Sequence, residues 1–191
     1  MSSRKSAITD YPVLELIKNR WSPRSFSPEP VKKEILFSLF EAARWAPSAY
    51  NEQPWHFIVA HKEDNKLYPL IINTLVPFNK QWASFAPVLI VCVASKFFSH
   101  NGKPNSYASY DCGQAVAYLT MQALSHDIYV HQMGGFDKES LRNNLKIPDD
   151  KEIINVMALG YRDTPDKLSE EMKKTELAER QRKKMADWTV I

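Results

Sequence analysis

Arg20 and Arg24 stand four residues apart in the stretch RWSPRSF, with Ser22 between them. Each guanidinium presents a planar fork of donors suited to phosphate or carboxylate oxygens, and the serine hydroxyl adds a further donor. That trio suits an anion with several oxygens; it equally describes a solvated basic helix end running into a proline turn. A second group lies in APSAYNEQPWHF, residues 46–57, where Asn51 and Gln53 sit between Pro47 and Pro54. Each amide carries both a donor and an acceptor. Alternate residues of an extended segment point the same way, so the pair can face one ring edge that alternates acceptor, donor and acceptor. Capping of the loop by its own amides is the plainer alternative.

Two more signals follow downstream. In MGGF, Gly134 and Gly135 let backbone approach a flat ligand closely, or simply form a tight turn. ERQRKK, residues 179–184, is the densest basic cluster, either a solvated face or a second source of phosphate ligands. Taken together, a phosphate clamp, amides for an imide edge and a close-approach glycine pair describe a site for flavin mononucleotide (FMN).

Absences narrow the chemistry. Five glycines make neither GxGxxG nor GxxxxGK, so no dinucleotide or P-loop fingerprint is present. The five histidines show no i,i+4 pairing and have no cysteine partner, so no metal is expected. No GxSxG elbow offers a nucleophile. No titratable residue stands out as a catalytic acid or base, and the catalytic set is left unknown.

These residues need a scaffold. At 191 residues, with 44% hydrophobic and 25% charged residues and a net charge of +3, the chain suits one folded domain over 1–191 and gives no sign of a nucleic-acid tail. Cys92 and Cys112 read as reduced core thiols of a cytoplasmic protein. The N-terminal segment lacks the apolar run of a signal peptide. The longest apolar run, APVLIVCVA at 86–94, is too short to span a bilayer and reads as a buried strand. Strands are also expected at 55–61, near 128–133 and at 152–161, for four or five in all. Helices are expected over 13–20, 31–46, 106–127 and near 137–145, and through the polar last thirty residues. The helix at 106–127 is apolar nearly all round and should be central. Irregular alternation of these elements suggests a layered α+β protein. Trp45, Tyr50 and Phe97 read as pocket walls or as core.

At this point the sequence resembles the nitroreductase family of flavoproteins. RWSPRSF resembles that family's Arg-x-Ser-x-Arg-x-Phe element, and APSAYNEQPWHF its Ala-Pro-Ser-x-x-Asn-x-Gln-Pro-Trp segment. YDCGQAVAYLTMQALSHDI is similar to the family's central helix, and GGF and NVMALGY follow in order, so the resemblance covers about residues 12–190. It implies a three-layer fold, a mostly antiparallel sheet flanked by helices, in an intertwined homodimer with flavins at the subunit interface. It further implies that Arg20, Ser22 and Arg24 hold the FMN phosphate and ribityl chain, and that Arg182, joined by Arg180, reaches the phosphate. Asn51 and Gln53 would address the ring, with Pro47 and Ser48 adding backbone contacts. Asn79 is a further candidate, and Gly134 and Gly135 would lie near flavin N5.

The implied activity is transfer of a hydride from NADH or NADPH through flavin N5 to a nitroaromatic, quinone or flavin, in ping-pong fashion. Two departures bear on the substrate side: Gly134 stands where some members carry an acid, and Arg162 where a proline is usual. Reductive dehalogenation on the same scaffold and a non-catalytic flavin-binding protein are the alternatives. A basic module binding nucleic acid is not expected, because the last thirty residues carry eight basic and seven acidic side chains. No membrane partner is expected; a small-molecule acceptor is.

Overall fold

The computed structural model describes residues 5–190. Its frame is a four-stranded antiparallel sheet in the order β1-β2-β4-β3. The strands are β1 (Trp55–His61), β2 (Val88–Ser95), β3 (Ile128–Met133) and β4 (Lys151–Tyr161). Seven helices accompany them: α1 (Glu15–Asn19), α2 (Lys33–Arg44), α3 (Leu67–Ile72), α4 (Pro77–Ala83), α5 (Ala108–Ser125), α6 (Lys138–Leu145) and α7 (Glu170–Leu177). The strand expected within 86–94 is β2, buried along nearly its whole length as a central strand should be.

Alternation along β2 divides the core into two layers, because successive side chains point to opposite faces. Leu89, Val91 and Val93 face a cluster with Trp82, Ile71, Leu141 and Met172 from the α3, α4, α6 and α7 side. Ile90, Cys92 and Ala94 face Leu36, Leu39, Val116 and Leu119 from α2 and α5. The result is three layers, helices on both faces of the sheet. Cys92 and Cys112 meet in the second layer, both buried and reduced.

Local chemistry sets several boundaries. Asp137 caps α6, its carboxylate accepting from the Ser140 amide at 3.0 Å, and Ser169 caps α7 in the same way. Pro77 opens α4, where its missing N–H costs nothing. The helices α3 and α4 fall outside the expected set. Both are short and lack a sustained apolar period, and Pro69 sits in the first turn of α3, where it is tolerated but reads as a breaker.

Three expectations need correction. The pattern at 13–20 gives a helix only over 15–19, and Val13, Leu14, Leu16 and Ile17 remain exposed rather than packed. Among the described residues beyond 161, helix is confined to α7 and to single 3₁₀ turns at 165–167 and 185–187. Finally, α5 is central but not enclosed within this chain: Cys112, Val116 and Leu119 pack in the layer with α2 and the sheet, while Tyr107, Tyr110 and Tyr118 stand in solvent on its other flank.

Candidate functional site

The segment carrying Arg20, Ser22 and Arg24 leaves α1 in extended conformation, so its side chains alternate. Trp21, Pro23 and Ser25 are buried, while Arg20, Ser22 and Arg24 are half-buried and face outward. The buried set anchors the loop. Trp21 packs edge-on against Tyr129 of β3, and Phe26 stacks on Trp82. The Ser27 amide donates to the Tyr161 carbonyl at 2.8 Å, the Asp163 amide donates to Ser25 O at 3.1 Å, and the Ser25 hydroxyl donates to the Thr164 carbonyl. His131 lies beneath, its Nδ1 2.9 Å from the Pro23 carbonyl and its ring 4.3 Å from that of Trp82. Burial, aided by the charges of Arg24 and Arg20, depresses the His131 pKa to about 4, so at neutral pH the ring is neutral and Nδ1–H donates to Pro23.

The outward set is cationic. Arg20 Nη1 donates to Ser22 Oγ at 3.4 Å. Burial, followed by the charge of Arg182, pulls the Arg20 pKa down; Arg180 is pulled down by burial and then by Arg20 and Arg182. These guanidiniums therefore crowd one another, an arrangement that a polyanion relieves. Arg24 adds a buried Nε with no hydrogen-bond partner. The C-terminal arginines differ in where they point. Arg180 Nη1 donates to the carbonyls of Lys18 and Lys5 at 2.5 and 3.2 Å, lacing the two ends of the chain together, while Arg182 bonds the Gln181 carbonyl in solvent.

The amide-bearing segment lies elsewhere, between α2 and β1. Tyr50, Asn51 and Gln53 all have left-handed backbone, with φ of 55°, 55° and 52°. Such φ values are uncommon outside glycine and mark local strain. The turn is held by its own groups: the Gln53 amide donates to Ser48 Oγ at 3.0 Å, and Gln53 Nε2 donates to the Asn51 carbonyl at 3.1 Å. From outside, buried Asp111 on α5 accepts the Ala49 amide at 3.0 Å, and Gln114 reaches the Pro47 carbonyl at 3.5 Å. Asn51 and Gln53 are exposed, and with Arg44, Trp45 and Pro47 they line an open cleft of about 380 Å³. Trp45 and Tyr50 are 71% and 81% exposed and Phe97 is 44% exposed, so none is core.

Gly134 and Gly135 follow β3. A side chain at Gly135 would meet Asn79 Nδ2 at 2.8 Å and Val76 Cγ2 at 2.9 Å, while one at Gly134 would meet nothing within 4 Å. Asn79 is engaged there, donating to the Gly135 carbonyl at 3.1 Å. Arg162 forms a bridge with Phe26, and its guanidinium lies 5.8 Å from the Tyr129 ring.

Topology separates the groups. The arginine segment runs beside β3, at the level where His131 pairs with Ala158. The amide segment leads into Trp55 of β1, at the other edge and beside the opposite ends of the strands. Three strand spacings, about 14 Å, divide those edges. Sequence reasoning missed Asp111 as a loop anchor, and it missed His131 and Glu176, which also brace the arginine segment. Nothing in a local pattern marks a residue whose partner lies 62, 108 or 152 positions away.

Among the described residues no three His, Cys, Asp or Glu side chains cluster to hold a metal, and no helix is long and apolar enough to cross a membrane. Against known proteins, the family model of the nitroreductases matches residues 17–161. A protein of Archaeoglobus fulgidus, provisionally named NADH dehydrogenase/NAD(P)H nitroreductase, is 29% identical over 152 residues, covering 78% of this chain and 84% of its own. Iodotyrosine deiodinase 1 of Rattus norvegicus is 34% identical over 134 residues, or 55% of this chain and 47% of its own. A crystal structure described as an oxidoreductase containing FMN superposes with a TM-score of 0.92 at 36% identity, over 100% of this chain and 96% of the other.

Proposed function

This chain belongs to the nitroreductase family, and on that premise we propose that it is an NAD(P)H-dependent FMN oxidoreductase that passes reducing equivalents to a nitroaromatic, quinone or flavin acceptor. The observation that carries the reading is the arginine segment: crowded guanidiniums and a buried, unpartnered Arg24 Nε fit the phosphate of FMN. Arg20, Ser22 and Arg24 hold that phosphate, with Arg182 approaching from the C-terminal segment. Arg180 acts beside them through its hold on the Lys18 and Lys5 carbonyls. Asn51 and Gln53 address the ring edge with their amides, Pro47 and Ser48 shape the approach, and Gly134 leaves open backbone beside it, backed by Gly135 and Asn79. FMN, when bound, supplies the hydride relay between nicotinamide and acceptor.

The two loops belong to one site through a second copy of the chain. They lie toward opposite edges of one sheet, and the flank of α5 with Tyr107, Tyr110 and Tyr118, together with Leu14 and Ile17 beside α1, leaves apolar surface bare. A homodimer covers such a surface and brings one copy's amide segment to the other's arginine segment. Reductant and acceptor then use the same open cleft in turn, since no separate dinucleotide fingerprint exists in the sequence.

The test is an absorbance spectrum of the purified protein followed by anaerobic titration with NADH and NADPH. Flavin bands that bleach within the mixing time and return on adding a nitroaromatic support the reading. A protein that stays colourless with added FMN overturns it. The likeness to iodotyrosine deiodinase 1 supports one other reading, reductive dehalogenation; slow bleaching by NAD(P)H with fast reoxidation by an iodinated phenol would favour it.

A further inference from the structure

Asp111 and Glu176 are acids buried to 2% and 5% exposure, and each accepts backbone N–H from one of the two candidate loops. Burying a carboxylate costs several kcal/mol unless it is hydrogen-bonded, so such a group is retained for what it holds. Glu176 is 5% exposed in the last turn of α7, a helix otherwise polar that docks through Met172. Its Oε1 and Oε2 accept from the Arg24 amide at 2.9 and 3.1 Å, and Oε1 accepts from the Ser25 amide at 3.3 Å. The Lys5 ammonium donates to the Glu176 carbonyl at 2.8 Å, and its charge is offset by the carboxylate.

We propose that Glu176 is a positioning residue for phosphate binding: it fixes the backbone at Arg24 and Ser25, and so aims the Arg24 guanidinium and the Ser22 hydroxyl outward together. The proposal rests on the reading of residues 20–24 as the FMN phosphate site. The anchor reaches the loop across 152 positions of sequence, from a helix that makes no other polar contact with residues 20–27 among the described bonds. Its charge works against its role. A carboxylate beside a phosphate site repels the ligand, so by Coulomb's law alone its removal tightens phosphate binding. Positioning demands the opposite sign: a glutamine keeps one acceptor oxygen but puts an NH2 donor where the second oxygen accepts from the Arg24 amide, so two donors face each other in a buried place and the loop shifts.

The experiment loads the full-length protein with FMN or with riboflavin, which lacks the phosphate, and reads the Kd of each from flavin fluorescence over a dilution series. For E176Q the affinity for FMN falls about tenfold while that for riboflavin stays within about twofold, erasing much of the wild-type preference for FMN. E176D, which keeps the charge but shortens the reach, loses the preference to a similar extent and carries the test if E176Q does not purify folded. A preference that is unchanged or enlarged in the variants overturns the proposal, as does an equal weakening of both ligands, which is loosening without aim. A wild-type protein that binds FMN and riboflavin equally overturns instead the assignment of residues 20–24 to the phosphate, and the role of Glu176 with it.

Discussion

In the segment at residues 20–27 Trp21, Pro23, Ser25 and Phe26 are driven into the core, whereas in the segment at 47–53 three non-glycine residues, Tyr50, Asn51 and Gln53, have left-handed backbone and the amides stand in solvent. The first is anchored by tertiary packing: two aromatic contacts, bonds to the end of β4 and the loop beyond it, and the Glu176 carboxylate. The second is a locally closed turn with a single buried acid, Asp111, pinning it from outside. Left-handed backbone at Tyr50 and Gln53 costs of order 1–3 kcal/mol each, and such strain persists only where neighbours over-determine it. The contrast fits two tasks. A phosphate is a small, highly charged group that rewards a rigid, preorganised cradle. A ring edge read by amides rewards a projecting loop that can enter another subunit.

The sharpest break in that comparison comes from ligand choice. Arg20→Ala should weaken FMN about 100-fold and leave riboflavin nearly untouched, since it removes a charge-assisted contact worth up to about 3 kcal/mol that only the phosphate makes. Asn51→Ala should weaken both flavins alike, by about tenfold, because both share the ring. The same fluorescence titration reads each variant. An Arg20→Ala protein that keeps full FMN occupancy after long dialysis removes the phosphate from this segment.

Acid should loosen the arginine segment. His131 holds the Pro23 carbonyl as a neutral ring with a pKa of about 4, below the usual 6.5 or so of an unfolded histidine. Between those values the unfolded chain binds the extra proton, so the contribution is intact above about pH 6.5 and is lost as pH falls toward 4. The full shift corresponds to roughly 3 kcal/mol. His131→Phe keeps the stack on Trp82 but cannot titrate. Its melting temperature should be lower than wild type at pH 7, by the unpaired Pro23 carbonyl, and fall less steeply from pH 6.5 to 4. Parallel pH profiles for the two proteins would show that His131 is not the titrating anchor.

How far the sequence reveals this molecule follows from the range of the forces involved. All four strands are legible, because apolar runs and β-branched residues record burial on a sheet locally. The helices α3 and α4 are not, since six or seven residues give too little period and Pro69 points the other way. Residues at both loops announce their chemistry by type: arginines with serine, amides between prolines. Their distance from each other is invisible, because strand order decides it and β1 and β3 become opposite edges only in the folded sheet. The anchors are hidden for the same reason. Glu176 sits among exposed acids in a polar helix and looks like its neighbours Glu170 and Glu171 until the loop at 24–25 is packed on it.

The glycine pair sharpens the comparison at its smallest scale, because its two members divide between packing and ligand. Gly135 belongs to the packed side: a Cβ there would press on Val76 and on the Asn79 amide that bonds its carbonyl. Gly135→Ala must therefore push α4 away or break that bond, at about 1–3 kcal/mol, read as a drop in melting temperature. Gly134 belongs to the open side, with free space around it and no left-handed φ that would demand glycine. Gly134→Ala should leave stability within about 0.5 kcal/mol, or raise it slightly by stiffening the unfolded chain. If a methyl at Gly134 nonetheless weakens FMN and riboflavin together while the melting temperature of the flavin-free protein holds, the space beside residue 134 belongs to the ring. If neither flavin responds, the ring lies elsewhere along the edge of β3, and the glycine at 134 serves only the turn.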